Sequence, residues 1–237
     1  MNSTERKDRR YGAATLITLV AMRDIVVVPS IKNSIGARKK YGLPGGSIDE
    51  IDLTNNIIRG ISELGLNPSD YTSKETEDIL AGAHAAVREG EEEAGIVITA
   101  ERYDVRGRPI MIKTGEYGTD RDCDPIEIER PALCVPPWRL VKIDHERPLN
   151  GGKRHFYFLS LLDKRVPLRT TGVSGEGGPP EYWPVQKVLS CGDTYYHMNP
   201  HHSLAVAHAI NYLSELGMSK DKTFQDLMIE LGRRGCD

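Results

Sequence analysis

Apolar residues run almost unbroken over Ala13–Ala21 (AATLITLVA) and again over Ile25–Pro29 (IVVVP), with Arg23 and Asp24 between them. Both runs are rich in β-branched residues, and the short polar break predicts a hairpin of two buried strands. Ser30–Lys40 is polar and basic, hence a loop, and Tyr41-Gly42-Leu43-Pro44-Gly45-Gly46 is a rigid turn. The period then changes. Apolar residues at 53, 57, 58, 61 and 64 fall at helical spacing, and Gly65 and Pro68 stop that helix. Thr72-Ser73-Lys74-Glu75 fits a capping box, so a second helix should run from there through Ile79, Ala83, Ala86 and Val87 to a glycine cap at Gly95. Ile96–Thr99 reads as strand. Residues 107–131 read as a long irregular excursion with a short strand at Pro109–Lys113. His155–Leu162 (HFYFLSLL) is a core strand, Thr170–Pro180 a loop, and Glu181–Val185 a short strand leading into a turn of helix over Val185–Ser190. Ser203–Leu216 is a strong helix closed by Gly217, and a final helix covers Lys222–Leu231. This order predicts an α/β fold in which a mixed β-sheet is flanked by helices on both faces.

At 237 residues the chain is read as one domain, 11–237, behind a flexible polar arm at 1–10. Thirty-one basic residues face 34 acidic ones, a net charge of −3. That balance argues against a protein that coats nucleic acid with positive charge, and it leaves a local basic groove open. The composition, 39% hydrophobic and 27% charged, is that of a globular protein. No apolar stretch approaches the roughly 20 residues of a membrane span. Cys123, Cys134, Cys191 and Cys236 form no CxxC pair, so a cytoplasmic protein with reduced thiols is expected.

The chemistry concentrates in Arg88-Glu89-Gly90-Glu91-Glu92-Glu93-Ala94-Gly95-Ile96. On a helix Glu89, Glu92 and Glu93 share one face, repel one another, and crowd the end where the helix dipole disfavours anions. A hard divalent cation, Mg²⁺ or Mn²⁺, would reverse the sign of that interaction. A solvated acidic face is the other reading of the same three residues.

The stretch resembles the second half of the Nudix box, G-x5-E-x7-R-E-U-x-E-E-x-G-U with U a bulky aliphatic, and Leu43-Pro44-Gly45-Gly46 resembles the Pro-Gly-Gly turn that opens it. The resemblance implies a Nudix-like α/β/α sandwich and a pyrophosphohydrolase that cleaves the diphosphate linkage of a nucleoside diphosphate joined to another moiety. It implies that Glu89, Glu92 and Glu93 hold the metal with the Gly45 carbonyl, and that Arg88 holds one of the glutamates in place. Glu176-Gly177-Gly178-Pro179-Pro180-Glu181-Tyr182-Trp183 resembles the late Nudix loop, where a Glu supplies a further metal ligand or the general base; Glu176 is the first choice and Glu181 the second. Three departures stand out. Gly46 to Arg88 spans 42 positions against 14 in the box, an insertion of 28 residues placed at about 47–75. Counting back eight from Arg88 gives Leu80 where the box has its first Glu; Asp78, Glu77 or Asp49 could stand in, or the role is absent. Gly90 replaces the aliphatic residue, which marks a close approach of the helix to the sheet.

Arg38 and Lys40, with Lys39 between them, are candidates for phosphate contact, as is Arg154 at the start of its strand. The bland reading of each is a solvated cation. Trp183 and His84 read as packed core residues. His197, His201 and His202 are spaced poorly for zinc, and a helix cap at Asn199, Pro200 and Ser203 accounts for that segment. Two other functions remain open on sequence. Arg106, Arg108, the basic loop and the insertion fit an RNA 5′-end pyrophosphohydrolase or decapping enzyme. Leu80 and Gly90 fit a non-catalytic Nudix-like nucleotide-binding regulatory module. A small-molecule nucleotide is the expected partner; RNA, and a homodimer through the apolar insert helix, stay open.

Overall fold

The computed structural model describes residues 11–30, 40–55, 57–98, 112–115, 127–130, 134–135, 140–149, 152–162, 165, 168, 179–190 and 198–215. The predicted hairpin is present as β1 (Gly12–Val20) and β2 (Asp24–Ser30), followed by two short strands, β3 (Lys40–Gly42) and β4 (Gly45–Ser47). Helix α1 (Glu50–Thr54) and the long α2 (Ser73–Ala94) come next, then β5 (Val97–Ile98), β6 (Ile112–Gly115), β7 (Glu127–Arg130), β8 (Cys134–Val135), β9 (Val141–Pro148) and β10 (Arg154–Leu162). The described chain closes with β11 (Glu181–Pro184), α3 (Val185–Ser190) and α4 (Pro200–Glu215).

The main sheet is mixed and seven-stranded, in the order β11-β2-β1-β10-β9, with β3 on β2 and β4 on β1. β1 is its centre. It runs parallel to β10 from Gly12↔Arg154 to Val20↔Leu162, and antiparallel to β4 from Ala13↔Ser47 to Thr15↔Gly45. Because side chains alternate along a strand, β1 serves two cores. Ala14, Leu16 and Val20 pack under α2, and Ile17 and Leu19 pack under α4. The near-continuous apolar run in the sequence is therefore a strand buried on both faces. Among the described residues no helix is long and apolar enough to cross a membrane.

α2 forms as its signals require. Thr72 Oγ1 accepts from Glu75 N–H (3.3 Å), Glu75 Oε2 accepts from Thr72 N–H (2.9 Å), and Gly95 ends the helix at φ 70°. Gly90 lies against the sheet: a Cβ there would run into the Leu16 side chain, which is wholly buried.

The helix expected over 53–64 is not continuous. α1 stops at Thr54, Asn55 and Gly60 are extended, and only Ile61–Leu64 and Pro68–Asp70 coil again, as 3-10 turns. Ile58, Ile61 and Leu64 still reach the core, whereas Leu53 is 44% exposed. The apolar spacing was met by a folded-back loop, because the His84 ring takes up backbone groups that a helix would have bonded internally. Residues 107–131, read as irregular with one short strand at Pro109–Lys113, contain an antiparallel pair: β6, which overlaps that strand at 112–113, and β7, which was not expected. Strand β9 was not anticipated. It is an edge strand whose outer half carries Asp144, Glu146 and Arg147, so its hydrophobic signal is weak. α4 begins at Pro200, a good first helical residue, with Asn199 Oδ1 accepting from His201 N–H (3.1 Å). The arm at 1–10 and the helix expected at 222–231 lie outside the described residues.

An alanine in place of a mid-helix glycine ordinarily stabilises by about 1 kcal/mol. Gly90→Ala should do the opposite, lowering stability by about 1–2 kcal/mol in urea titrations, because the new methyl has to displace Leu16 in a filled core.

Candidate active site

Arg88 is the hub of the site. Its Nε and Nη2 each donate to a separate oxygen of Asp52, both at 3.1 Å, and Nη2 also donates to the Ser47 carbonyl at 2.9 Å. Nη1 donates to Glu89 Oε1 at 2.8 Å and to Glu92 Oε2 at 3.3 Å. Asp52 is 1% exposed and also accepts from Asp49 N–H at 2.8 Å. Burial works against the charged guanidinium, but Asp52, Glu89 and Glu92 outweigh it and hold Arg88 above its ordinary pKa.

Asp52 was missed in the sequence, and the signal was there. Six positions after Gly46, the spacing of G-x5-E, is residue 52. Counting back from Arg88 crosses the insertion and lands on Leu80. Counted forward, Asp52 falls at the position where the resembled box has its first Glu, and it is the shorter carboxylate. Of the three substitutes considered, Asp49 is at the rim, 3.7 Å from Arg88 Nη2 with its side chain 59% exposed. Glu77 and Asp78 are exposed on α2, roughly three turns before Arg88. His84, buried as expected, fastens α1 to α2: with its proton on Nδ1 it donates to Asp52 O (2.8 Å) and accepts from Ile58 N–H (3.3 Å).

The Leu43–Gly46 corner meets the acidic end of α2. The corner is fixed by Leu16 N–H donating to Pro44 O (2.8 Å) and by the Thr15↔Gly45 pairing. Gly45 N–H donates to Glu93 Oε2 at 2.9 Å. A Cβ on Gly46 would meet the Glu89 carboxylate, so the bare backbone there is what lets that carboxylate lie where it does. Burial pushes the Glu89 pKa up, the Glu92 and Asp52 charges add to the rise, and Arg88 opposes it. The donors are all oxygens, and the cradle at Gly46 lets a carboxylate come flush against the backbone. In kind, that set fits a hard divalent cation. Glu89 and Glu92 share Arg88 while Glu93 holds Gly45, and among the described residues no three acidic, His or Cys side chains converge as a cage.

The opposite face of the same corner is lined by rings. Thr15 Oγ1 and His155 Nε2 are 2.7 Å apart, and His155 stacks on Tyr157 with ring centroids 4.6 Å apart. Burial, with Arg147 and neighbouring histidines, lowers the His155 pKa to about 4 and that of His202 to about 3. Glu181 accepts from Tyr41 Oη–H (2.9 Å) and from Trp183 Nε1–H (3.0 Å). Trp183 is 5% exposed, a core residue, with Lys187 Nζ 3.3 Å from its ring centroid. Arg154 lies elsewhere: with Lys74, Glu75, Asp78 and Lys153 it lines a cavity of about 340 Å³ at the start of α2. Glu75 and Glu89 are about 21 Å apart along the helix, so Arg154 is not brought to the carboxylates. Arg38, Arg106, Arg108, Glu176 and His197 lie outside the described residues, and for Lys40 only the backbone, in β3, is described.

No protein family's sequence profile matches the chain, and no curated protein matches it. Solved structures do. The crystal structure of a NUDIX hydrolase from Alicyclobacillus acidocaldarius superposes with a TM-score of 0.52 at 17% identity, over 83% of this chain and 89% of that one. A MutT/nudix family protein from Enterococcus faecalis gives a TM-score of 0.45 at 10% identity, over 89% of this chain and 64% of that one, too low a score to argue from. A mixed sheet between helices, with an acidic helix end set on a Pro-Gly-Gly corner, defines an α/β/α sandwich. Its architecture is the Nudix fold.

Asp52→Ala should cost about 2–4 kcal/mol by chemical denaturation, since it leaves Arg88 half-buried without its bidentate partner. His155 and His202 are neutral when folded and take up a proton more readily once unfolded. Their contribution is complete above about pH 6.5 and is lost as the pH falls toward 4. Thermal melts should drop across that window, and His155→Gln should flatten the slope.

Proposed function

We propose that the chain is a divalent-metal-dependent hydrolase of the Nudix type, acting on the diphosphate linkage of a nucleoside diphosphate joined to another moiety. The observation that carries this reading is the Arg88 cluster: one guanidinium, braced on a buried carboxylate, holds Glu89 and Glu92 beside the Gly45–Gly46 corner. Glu89, Glu92, Glu93 and the Gly45 carbonyl would hold Mg²⁺ or Mn²⁺. When bound, the ion neutralises phosphate charge and makes water a better nucleophile. Arg88 orients two carboxylates through Nη1 and does not touch substrate. Glu93 fixes the Gly45 peptide through its N–H. Glu176, in the Gly- and Pro-rich 170–180 stretch, is assigned the further ligand or general base, and Arg38 and Lys40 are assigned phosphate contacts. The remaining work is positioning and charge stabilisation.

The non-catalytic reading rested on Leu80 and Gly90. Asp52 occupies the partner position of Arg88, and Gly90 is accounted for by Leu16 beneath it, so neither residue now argues for lost catalysis. No described residue favours the RNA reading over the nucleotide one.

Purified protein with Mg²⁺ and a panel of nucleoside diphosphates linked to sugars or nucleosides should show turnover that chelation abolishes. Loss of even an outer-shell partner costs about 10–100-fold at metal sites, so removing a ligand's charge in Glu92→Gln should lower kcat by about 100-fold or more with the melting temperature little changed. No turnover of any compound, with Glu92→Gln indistinguishable from the parent, would reject the assignment.

A further inference from the structure

The Leu43–Gly46 corner is held from two sides, and α2 is only one of them. From the other face, His202 Nδ1 accepts Leu43 N–H at 2.9 Å. Leu43 is 2% exposed, so this N–H needs an acceptor within the protein. The segment leading into α4 is tied to the same stretch: Met198 bridges to Tyr41, and Asn199 N–H points at Tyr41 O (3.4 Å). The His202 ring is boxed in. Tyr157 and His155 meet it edge-on at 6.1 and 6.3 Å between centroids, and a Cβ on Gly42 would come within 3.3 Å of its Cε1 and Nδ1.

We propose that His202 is a positioning residue for the hydrolytic site: through this imidazole α4 sets the Leu43 peptide, and so the direction in which the Gly45 carbonyl faces the α2 carboxylates. The inference rests on the hydrolase reading above. Its mechanical basis is Pro44. Proline fixes its own φ and restricts the residue before it, so rotation at Leu43 passes on to Gly45 instead of being absorbed between them. α2 and α4, on opposite faces of the sheet, thereby act on one four-residue turn.

Asparagine places an oxygen where Nδ1 stands, whereas glutamine places its polar end where Nε2 stands. H202N should therefore restore what H202Q loses. Three measurements on the full chain separate the outcomes: amide hydrogen exchange at Leu43 without metal, Mn²⁺ binding by calorimetry, and kcat against KM. H202Q should speed Leu43 exchange about tenfold, weaken Mn²⁺ binding and lower kcat each by about tenfold, and leave KM within about twofold. H202N should lie within about twofold of the parent throughout. If H202Q fails to fold, H202A serves, and added imidazole should return its Mn²⁺ affinity toward the parent value. If the parent binds Mn²⁺ and turns over substrate but H202Q matches it, or if H202N falls as far as H202Q, the positioning role is overturned whatever the melting temperatures do. A parent that neither binds Mn²⁺ nor turns over substrate overturns the hydrolase reading, and the role of His202 in it, while Leu43 exchange still reports whether the ring holds the turn.

Discussion

A carboxylate withdrawn from water, as Asp52 is, is tolerable only when its charge and its lone pairs are matched. Arg88 supplies the match through two parallel N–H donors, and the guanidinium has donors left over. Those go to the Ser47 carbonyl and to Glu89 and Glu92. The geometry of the acidic helix end is thus set by a pair buried at the join between α1, β4 and α2. Without that pair, Glu89 and Glu92, at the unfavourable end of a helix, would lose the shared donor that holds them beside the corner.

The fold serves this arrangement by bringing backbone close to backbone. β4 lies on β1 so that Gly46 faces Glu89, and α2 lies on the sheet through Gly90, where Leu16 fills the space a side chain would need. The same β1 strand presents Thr15 to the other face, where His155 and His202 back the corner. One strand therefore supplies the floor for the acidic side and the wall for the aromatic side.

Much of this was legible beforehand because it is local. Capping residues and a terminal glycine delimit α2 directly, and two β-branched runs around Arg23-Asp24 can hardly be anything but a hairpin. What could not be read was long-range. Periodicity records which residues are buried, not by what backbone; Ile58, Ile61 and Leu64 are buried as spaced, yet a ring from α2 holds that segment in a loop. β9 escaped because an edge strand with charged positions carries little hydrophobic signal. Asp52 escaped for a different reason: its partner Arg88 lies 36 positions on, and a count taken back from Arg88 at the spacing of the resembled box does not reach it. His202 has no sequence signal at all, since its partner is a backbone N–H 159 residues away.

The connection between Asp52 and α2 is pinned at both ends. Asp52 is tied to Arg88 and His84 at the start of the 53–71 connection, and the Thr72 capping box starts α2 at its end. The entropy of closing a loop grows only slowly with its length, so lengthening a connection whose ends are already pinned costs little. The connection also adds Ile58, Ile61 and Leu64 to the core beneath α2.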